Sequence, residues 1–176
     1  MFDRPIIVTL QMDHKSAEFF DAQRKKYFPA DINFVPAHLT LFHELAGRKF
    51  DHVLEIVAEA CAAETPFAIK IQGLLKLGRG VAYLVQSERL TRFRAGLARS
   101  FARLLSGQDL EGFHPHVTIQ NKVSPQAAQA LYKHLSDGFA PFEPLGEGVQ
   151  LWRYEGAGAR RARWTPAGAI AFAGGA

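Results

Sequence analysis

Two short stretches decide the reading of this chain: Pro36-Ala37-His38-Leu39-Thr40-Leu41-Phe42 and His114-Pro115-His116-Val117-Thr118-Ile119-Gln120. Each holds His-x-Thr followed by an aliphatic residue. Side chains alternate along a strand, so His38 and Thr40 share one face and Leu39 and Leu41 the other. His116 and Thr118 stand in the same way against Val117 and Ile119. Each stretch therefore predicts a strand that buries an aliphatic face and presents an imidazole beside a hydroxyl. With seven histidines and six threonines in 176 residues, chance supplies roughly a quarter of one His-x-Thr, the false-positive rate that any short motif must beat. His14-Lys15-Ser16 and His134-Leu135-Ser136 are decoys, because they fall in or beside predicted helices, where i and i+2 do not face each other.

Outward from these strands the chain repeats itself. Ile6, Val8, Leu10 and Met12 alternate as a first strand, and Asp13 or Ser16 can cap a helix ending near Tyr27-Phe28-Pro29. After the first motif strand, at about 37–45, Phe50, Val53, Leu54, Val57 and Cys61 form a helical stripe. Phe67, Ile69 and Ile71 alternate as a strand, and Gly78-Arg79-Gly80 reads as a turn. The order then restarts: Val81, Tyr83 and Val85 as a strand, then Leu90, Phe93, Leu97, Phe101 and Leu104 on a helix. The second motif strand follows. Next comes a helix opened by Ser124-Pro125, with serine as cap and proline at the first helical position. The last third predicts a hairpin: Val149–Tyr154, a turn at Gly156-Ala157-Gly158, and an extended stretch from Arg161 to Phe172. Both halves, about 5–77 and 78–173, run strand, helix, short strand, helix, strand. The expected fold is α+β: one domain over 1–176, built of two related lobes that face each other.

Composition agrees with one folded domain. The chain has 21 Lys+Arg against 17 Asp+Glu, a net charge of +4, with 48% apolar and 22% charged residues, which excludes a disordered chain. Cys61 is the only cysteine, so an internal disulfide and a cysteine-based zinc site are excluded. It lies on the apolar stripe of its helix and is expected to be a buried structural thiol. The first residues show no secretory signal, and no apolar run approaches the ~20 residues that span a bilayer. A cytoplasmic location, no membrane and no obligate protein partner are expected.

The paired motifs on a duplicated α+β chain of this size resemble the 2H phosphoesterase superfamily, above all its bacterial branch of 2′-5′ RNA ligase-like proteins and RNA 2′,3′-cyclic phosphodiesterases. The resemblance runs from about Ile6 to Phe172 and rests on His38, Thr40, His116 and Thr118. It implies a bilobal fold with pseudo-twofold symmetry, antiparallel sheets in each lobe, helices outside, and a metal-free site in the cleft between lobes. Several RNA-acting members carry an arginine three residues past the threonine. Here His43 and Asn121 stand at those positions, with Lys122 beside the latter.

The four residues suit opening of a cyclic phosphodiester by water. The attacking and leaving oxygens lie on opposite sides of phosphorus, and two histidines, ordinarily titrating near 6.5, can serve as base and acid. His38 and His116 are the expected catalytic pair. Thr40 and Thr118 are expected to donate to the non-bridging oxygens, where charge builds up. Run backwards, the same pair joins a 2′,3′-cyclic phosphate to a hydroxyl. No G-x-x-x-x-G-K-[ST] phosphate loop is present, in keeping with joining that needs no ATP, and with the metal-free site that the resemblance implies no cofactor is expected. The expected substrate is an RNA end or a cyclic nucleotide. The alternatives are an RNA- or nucleotide-binding module without turnover, another small cyclic phosphate such as the ADP-ribose 1″,2″-cyclic form, or a metal site if His114 joined His38 and His116.

Four residues are candidates to line the substrate. Phe42 falls on the face of His38 and Thr40, His43 and Lys122 follow the motifs, and Tyr83 sits on a neighbouring strand. Arg24-Lys25-Lys26, Arg92, Arg94, Arg99 and Arg103 read as solvated helix faces, and His52 and His134 as solvated or structural. Arg153, Arg160, Arg161 and Arg163, interleaved with Trp152, Tyr154 and Trp164, offer a nucleic-acid surface. A hairpin with packed aromatics and wet arginines is the preferred reading of them.

Overall fold

The computed structural model describes residues 4–156 and 163–174. The strands are β1 (Ile6–Met12), β2 (Leu39–Leu45), β3 (Phe67–Ala68), β4 (Lys70–Lys76), β5 (Val81–Gln86), β6 (His116–Gln120), β7 (Leu145–Tyr154) and β8 (Trp164–Ala171). The helices are α1 (His14–Tyr27), α2 (Phe50–Ala62), α3 (Glu88–Phe101), α4 (Gly107–Leu110) and α5 (Pro125–Ser136). The fold is α+β. Its strands run in the order β3-β7-β1-β2-β6-β5-β4, with β8 on the far side of β7, and every pairing is antiparallel. β3 and β4 stand at opposite ends of that order with only Ile69 between them in the chain. The sheet thus bends almost into a closed ring.

The internal duplication is visible in the pairings. β1 pairs with β2 and β7, just as β5 pairs with β6 and β4. Each set of three takes one strand from the other half of the chain: β7 comes late and β4 early. The helices cross over too, since α1 packs on β6 and α5 on β4 and β5, while α2 packs on β7, β8 and α3. The two lobes are therefore interlocked exchanges between halves. They meet where Leu39 of β2 pairs with Val117 of β6.

Local chemistry explains the element ends. Asp13 caps α1, its carboxylate accepting from the Ser16 N–H at 2.9 Å. Ser87 and Ser124 cap α3 and α5 in the same way, with Pro125 opening α5, and each such cap stabilises by about 1 kcal/mol. Gly80 is required by a close approach, because a Cβ there would lie 1.9 Å from the Gln120 carbonyl oxygen. The core takes Ile6, Val8 and Leu10 from β1, Leu39 and Leu41 from β2, Val117 and Ile119 from β6, and the stripes of α2 and α3. Cys61 belongs to it, fully buried, and burial pushes its thiol up to about 12. Truncating such a residue as Leu39 to alanine costs about 2–5 kcal/mol.

The structure departs from the sequence reading in detail. β2 begins at Leu39, so His38 is the residue just before the strand. The short helix α4 carries no apolar stripe to announce it. Ala157, Gly158 and the start of the extended stretch at Arg161 lie outside the described residues, and β8 starts at Trp164. No helix among the described residues is long and apolar enough to cross a membrane.

Candidate active site

The join between the lobes places the two motifs together. With Leu39 opposite Val117 in an antiparallel pair, His38 flanks Thr118 and Thr40 flanks His116. All four side chains line one cleft of about 50 Å³, which also takes in Leu41, His43, Arg94, Gln108, Asp109, Phe113 and His114. Leu39 and Val117 are fully buried on the other face, as alternation requires.

The two imidazoles are held alike. Nδ1 of His38 donates to the Pro36 carbonyl at 2.8 Å, and Nδ1 of His116 to the His114 carbonyl at 2.8 Å. A carbonyl can only accept, so Nδ1 carries the hydrogen and Nε2 is left for chemistry. Their surroundings differ. Burial pushes His38 down to about 4, against the pull of the Pro36 carbonyl, and the charges of Arg24, His116 and His43 push the same way as burial. His38 is thus neutral at pH 7, and proton charge on one imidazole disfavours it on the other.

Two arginines brace the cleft from behind. Arg24 of α1 is buried, against the expectation of a solvated face. Its Nε donates to Asn33 Oδ1 at 2.8 Å and its Nη1 to the Thr118 carbonyl at 3.0 Å, while the guanidinium covers the Phe28 ring at 3.9 Å. Burial lowers its pKa to about 10, with Asp21 opposing. Arg94 of α3 is half-buried rather than solvated: it lies over Phe42 at 4.6 Å and donates to the carbonyls of Leu41 (3.3 Å) and Asp109 (2.6 Å). Arg92, Arg99 and Arg103 are exposed, as expected.

Asp109 is 2% exposed. Its carboxylate accepts from the backbone N–H groups of His43 (2.9 and 3.2 Å) and Glu44 (3.3 Å), from His43 Nδ1 (3.0 Å) and from Ser106 Oγ (3.1 Å). Burial alone would raise its pKa. The bonds from His43, Glu44 and Ser106 outweigh burial, and the group sits below the usual carboxylate value. Through Asp109 the His43 ring is fixed on the wall of the cleft, a third imidazole beside the motif pair.

The other proposed lining residues lie elsewhere. Phe42 is fully buried, edge-on to Phe101 with centroids 5.0 Å apart. Thr9 pairs with Thr40 but Val8 with Phe42, so a β-bulge at Leu41 shifts the alternation and turns Phe42 into the core. Tyr83 is buried against Phe19, Phe20 and Phe142, with its hydroxyl 3.3 Å from Gln23 Oε1; burial pushes it up to about 12. Lys122 is exposed in the turn after β6, with φ +60°, and does not line the cleft. His52 and His134 are exposed. His114 lines the cleft and its carbonyl anchors His116. Among the described residues no group of three or more His, Cys, Asp or Glu is set to hold a metal ion.

On the hairpin, Trp152 is buried with its Nε1 donating to Thr9 Oγ1 at 2.9 Å. Arg153 lies over Phe50 at 4.2 Å and donates to the Gly47 carbonyl at 2.8 Å. Arg163 is exposed, and Arg160 and Arg161 lie outside the described residues. The aromatic packing expected of the hairpin holds for Trp152, but Arg153 is packed rather than wet, and the half-buried Trp164 ring meets the His38 ring at 4.4 Å.

Comparison with known proteins follows the same residues. The profile of the 2′-5′ RNA ligase superfamily matches residues 12–158, a span that contains both motifs. The chain belongs to that superfamily. In structure, this superfamily member is similar to TT0787 of Thermus thermophilus, at a TM-score of 0.70 and 18% identity over 98% of this chain and 100% of that one. It is also similar to E. coli LigT complexed with NADP+, at 0.63 and 19% over 97% and 99%. A third similar structure is E. coli LigT complexed with 3′-AMP, at 0.61 and 19% over 97% and 98%. At these identities the likeness is one of fold. No curated protein matches the chain in sequence.

For this superfamily member the sequence reading took Arg94 for a solvated residue and passed over Asp109. Arg94 left a signal, because Leu90, Phe93, Arg94 and Leu97 stand at i, i+3, i+4 and i+7, which puts a cation on the apolar stripe. Arg24 follows Phe20 by four residues in the same way. Asp109 left none, since its role depends on α4 meeting β2 from 65 residues away in sequence.

Proposed function

We propose that this protein is a metal-independent phosphoesterase that opens 2′,3′-cyclic phosphates at RNA ends or in nucleotides. The observation that carries this reading is the pair of imidazoles, each oriented by a carbonyl at Nδ1, lining one cleft with two threonine hydroxyls. The phosphate lies between the motif strands. Neutral His38 takes a proton from water through Nε2, the water oxygen bonds to phosphorus, and the bond from phosphorus to one ribose oxygen breaks. His116, which enters the step protonated on both nitrogens, gives its Nε2 proton to that oxygen, and solvent afterwards takes the proton from His38 and restores the one on His116. Each transfer by a placed side chain contributes about 10²–10⁴-fold. Thr40 and Thr118 donate to the non-bridging oxygens, and Arg94 adds positive potential beside them. In reverse, with a ribose hydroxyl in place of water, the same pair joins ends without ATP.

The test is hydrolysis of a 2′,3′-cyclic mononucleotide in EDTA by the wild type and by His38→Ala and His116→Ala. The expected result is turnover in chelator that each substitution removes. Turnover that needs a metal, or that survives both substitutions, overturns the reading.

A further inference from the structure

A second cavity adjoins the phosphate cleft, and His38 is the one residue that lines both. It measures about 240 Å³ and is walled by Thr9, Gln11, His14, Glu147 and Gln150 together with small and apolar groups. Gln11 and Gln150 stand on adjacent strands, since Thr9 pairs with Gln150 and Gln11 with Gly148. Neither amide makes a hydrogen bond among the described residues, so both can turn donor and acceptor toward a ligand. The Trp164 ring lies against His38, and Trp152 is bonded to Thr9. The two tryptophans of the chain thus both touch residues of this pocket's wall.

The sizes and charges separate the roles of the cavities. At about 50 Å³ the cleft has room for little more than a phosphate group. The second pocket is smaller than the roughly 300–1,000 Å³ of drug-sized sites, which suits one nucleobase and its sugar. Its one carboxylate, Glu147, repels a phosphate and can accept from ribose hydroxyls. The glutamine amides match the mixed donor and acceptor edge of a base. We infer that the pocket formed by Gln11, Glu147 and Gln150 behind His38 binds the nucleoside of the substrate while its phosphate lies in the cleft. This rests on the phosphoesterase reading above and adds a place for the part of the substrate that does not react.

Two measurements test it. Titration of adenosine into the full-length protein, followed by tryptophan fluorescence, is expected to give a saturable change, and Gln11→Leu/Gln150→Leu is expected to weaken it at least tenfold. The absence of a saturable change in the wild type overturns the inference whether or not the protein is a phosphoesterase. In the second measurement, kcat/KM for a 2′,3′-cyclic mononucleotide is divided by that for glycerol 1,2-cyclic phosphate, which carries the reacting group without a nucleoside. The double variant is expected to lower this ratio at least tenfold through KM, whereas Gln72→Leu on the exposed side of β4 leaves it at the wild-type value. An unchanged ratio in the double variant overturns the inference. Failure of the wild type to hydrolyse either compound tells against the phosphoesterase reading instead, and the adenosine titration still reports on the pocket.

Discussion

The two copies of the motif carry the same residues in different surroundings. Both histidines spend Nδ1 on the carbonyl two residues earlier at 2.8 Å, and each has its threonine partner two residues later. The Trp164 ring lies against His38, however, and burial together with the charges of Arg24 and His43 keeps that imidazole neutral. His116 has no such ring against it among the described residues. The duplication supplies geometry, two imidazoles on facing strands, and residues outside the repeat supply the asymmetry that acid–base catalysis needs.

The largest effects should come from removing the symmetric part. His38→Ala and His116→Ala are each expected to lower kcat about 10²–10⁴-fold, measured on a cyclic mononucleotide with circular dichroism as the folding control. Wild-type kcat in either variant would leave that imidazole outside the chemistry. Thr40→Val and Thr118→Val remove a donor to the charged oxygens, and each is expected to cost about 10²-fold in kcat.

Effects on the asymmetric surroundings should be smaller for chemistry and visible in stability and pH dependence. Asp109→Asn removes the acceptor that holds His43, Glu44 and Ser106, and charged hydrogen bonds of this kind stabilise by about 1.5–3 kcal/mol each. A loss of about 3 kcal/mol in denaturant unfolding at pH 7 is expected. The Asp109 carboxyl sits below its ordinary value in the folded state. Its contribution is therefore complete above the unfolded value of 3.8 and fades as pH falls through the folded one. The variant and wild-type stabilities should accordingly converge at low pH, and a constant gap down to the acid transition would contradict the assignment. The smallest expected effect is a shift. With His38 near 4, the acid limb of kcat/KM falls well below the ordinary histidine range. His43→Gln, by removing a charge that pushes His38 down, should move that limb to higher pH. A limb that stays put would show that the two rings do not sense each other.

Much of this is legible in the chain. The doubled His-x-Thr points to all four cleft residues of the motifs because strand periodicity fixes which side chains share a face. The stripes on α2 and α3, and the caps Asp13 and Ser124, follow from local chemistry alone. Phe42 is misplaced by periodicity because a bulge at Leu41 breaks the very alternation that locates Thr40. The exchange of β4 and β7 between lobes is hidden, since strand order is a property of pairing and not of spacing. Arg24 and Arg94 read as wet because arginine is seldom buried, although both occupy stripe positions. Asp109 has meaning only once α4 meets β2.

The central claim is that His38 and His116 act as one acid–base unit. A double-mutant cycle on kcat tests it most directly, with wild type, His38→Ala, His116→Ala and the double variant assayed on one cyclic mononucleotide in EDTA. Residues that act as a unit are strongly non-additive, so the double variant should be about as slow as the slower single one. Independent, multiplying losses, or any of the three variants turning over at the wild-type rate, would contradict the account.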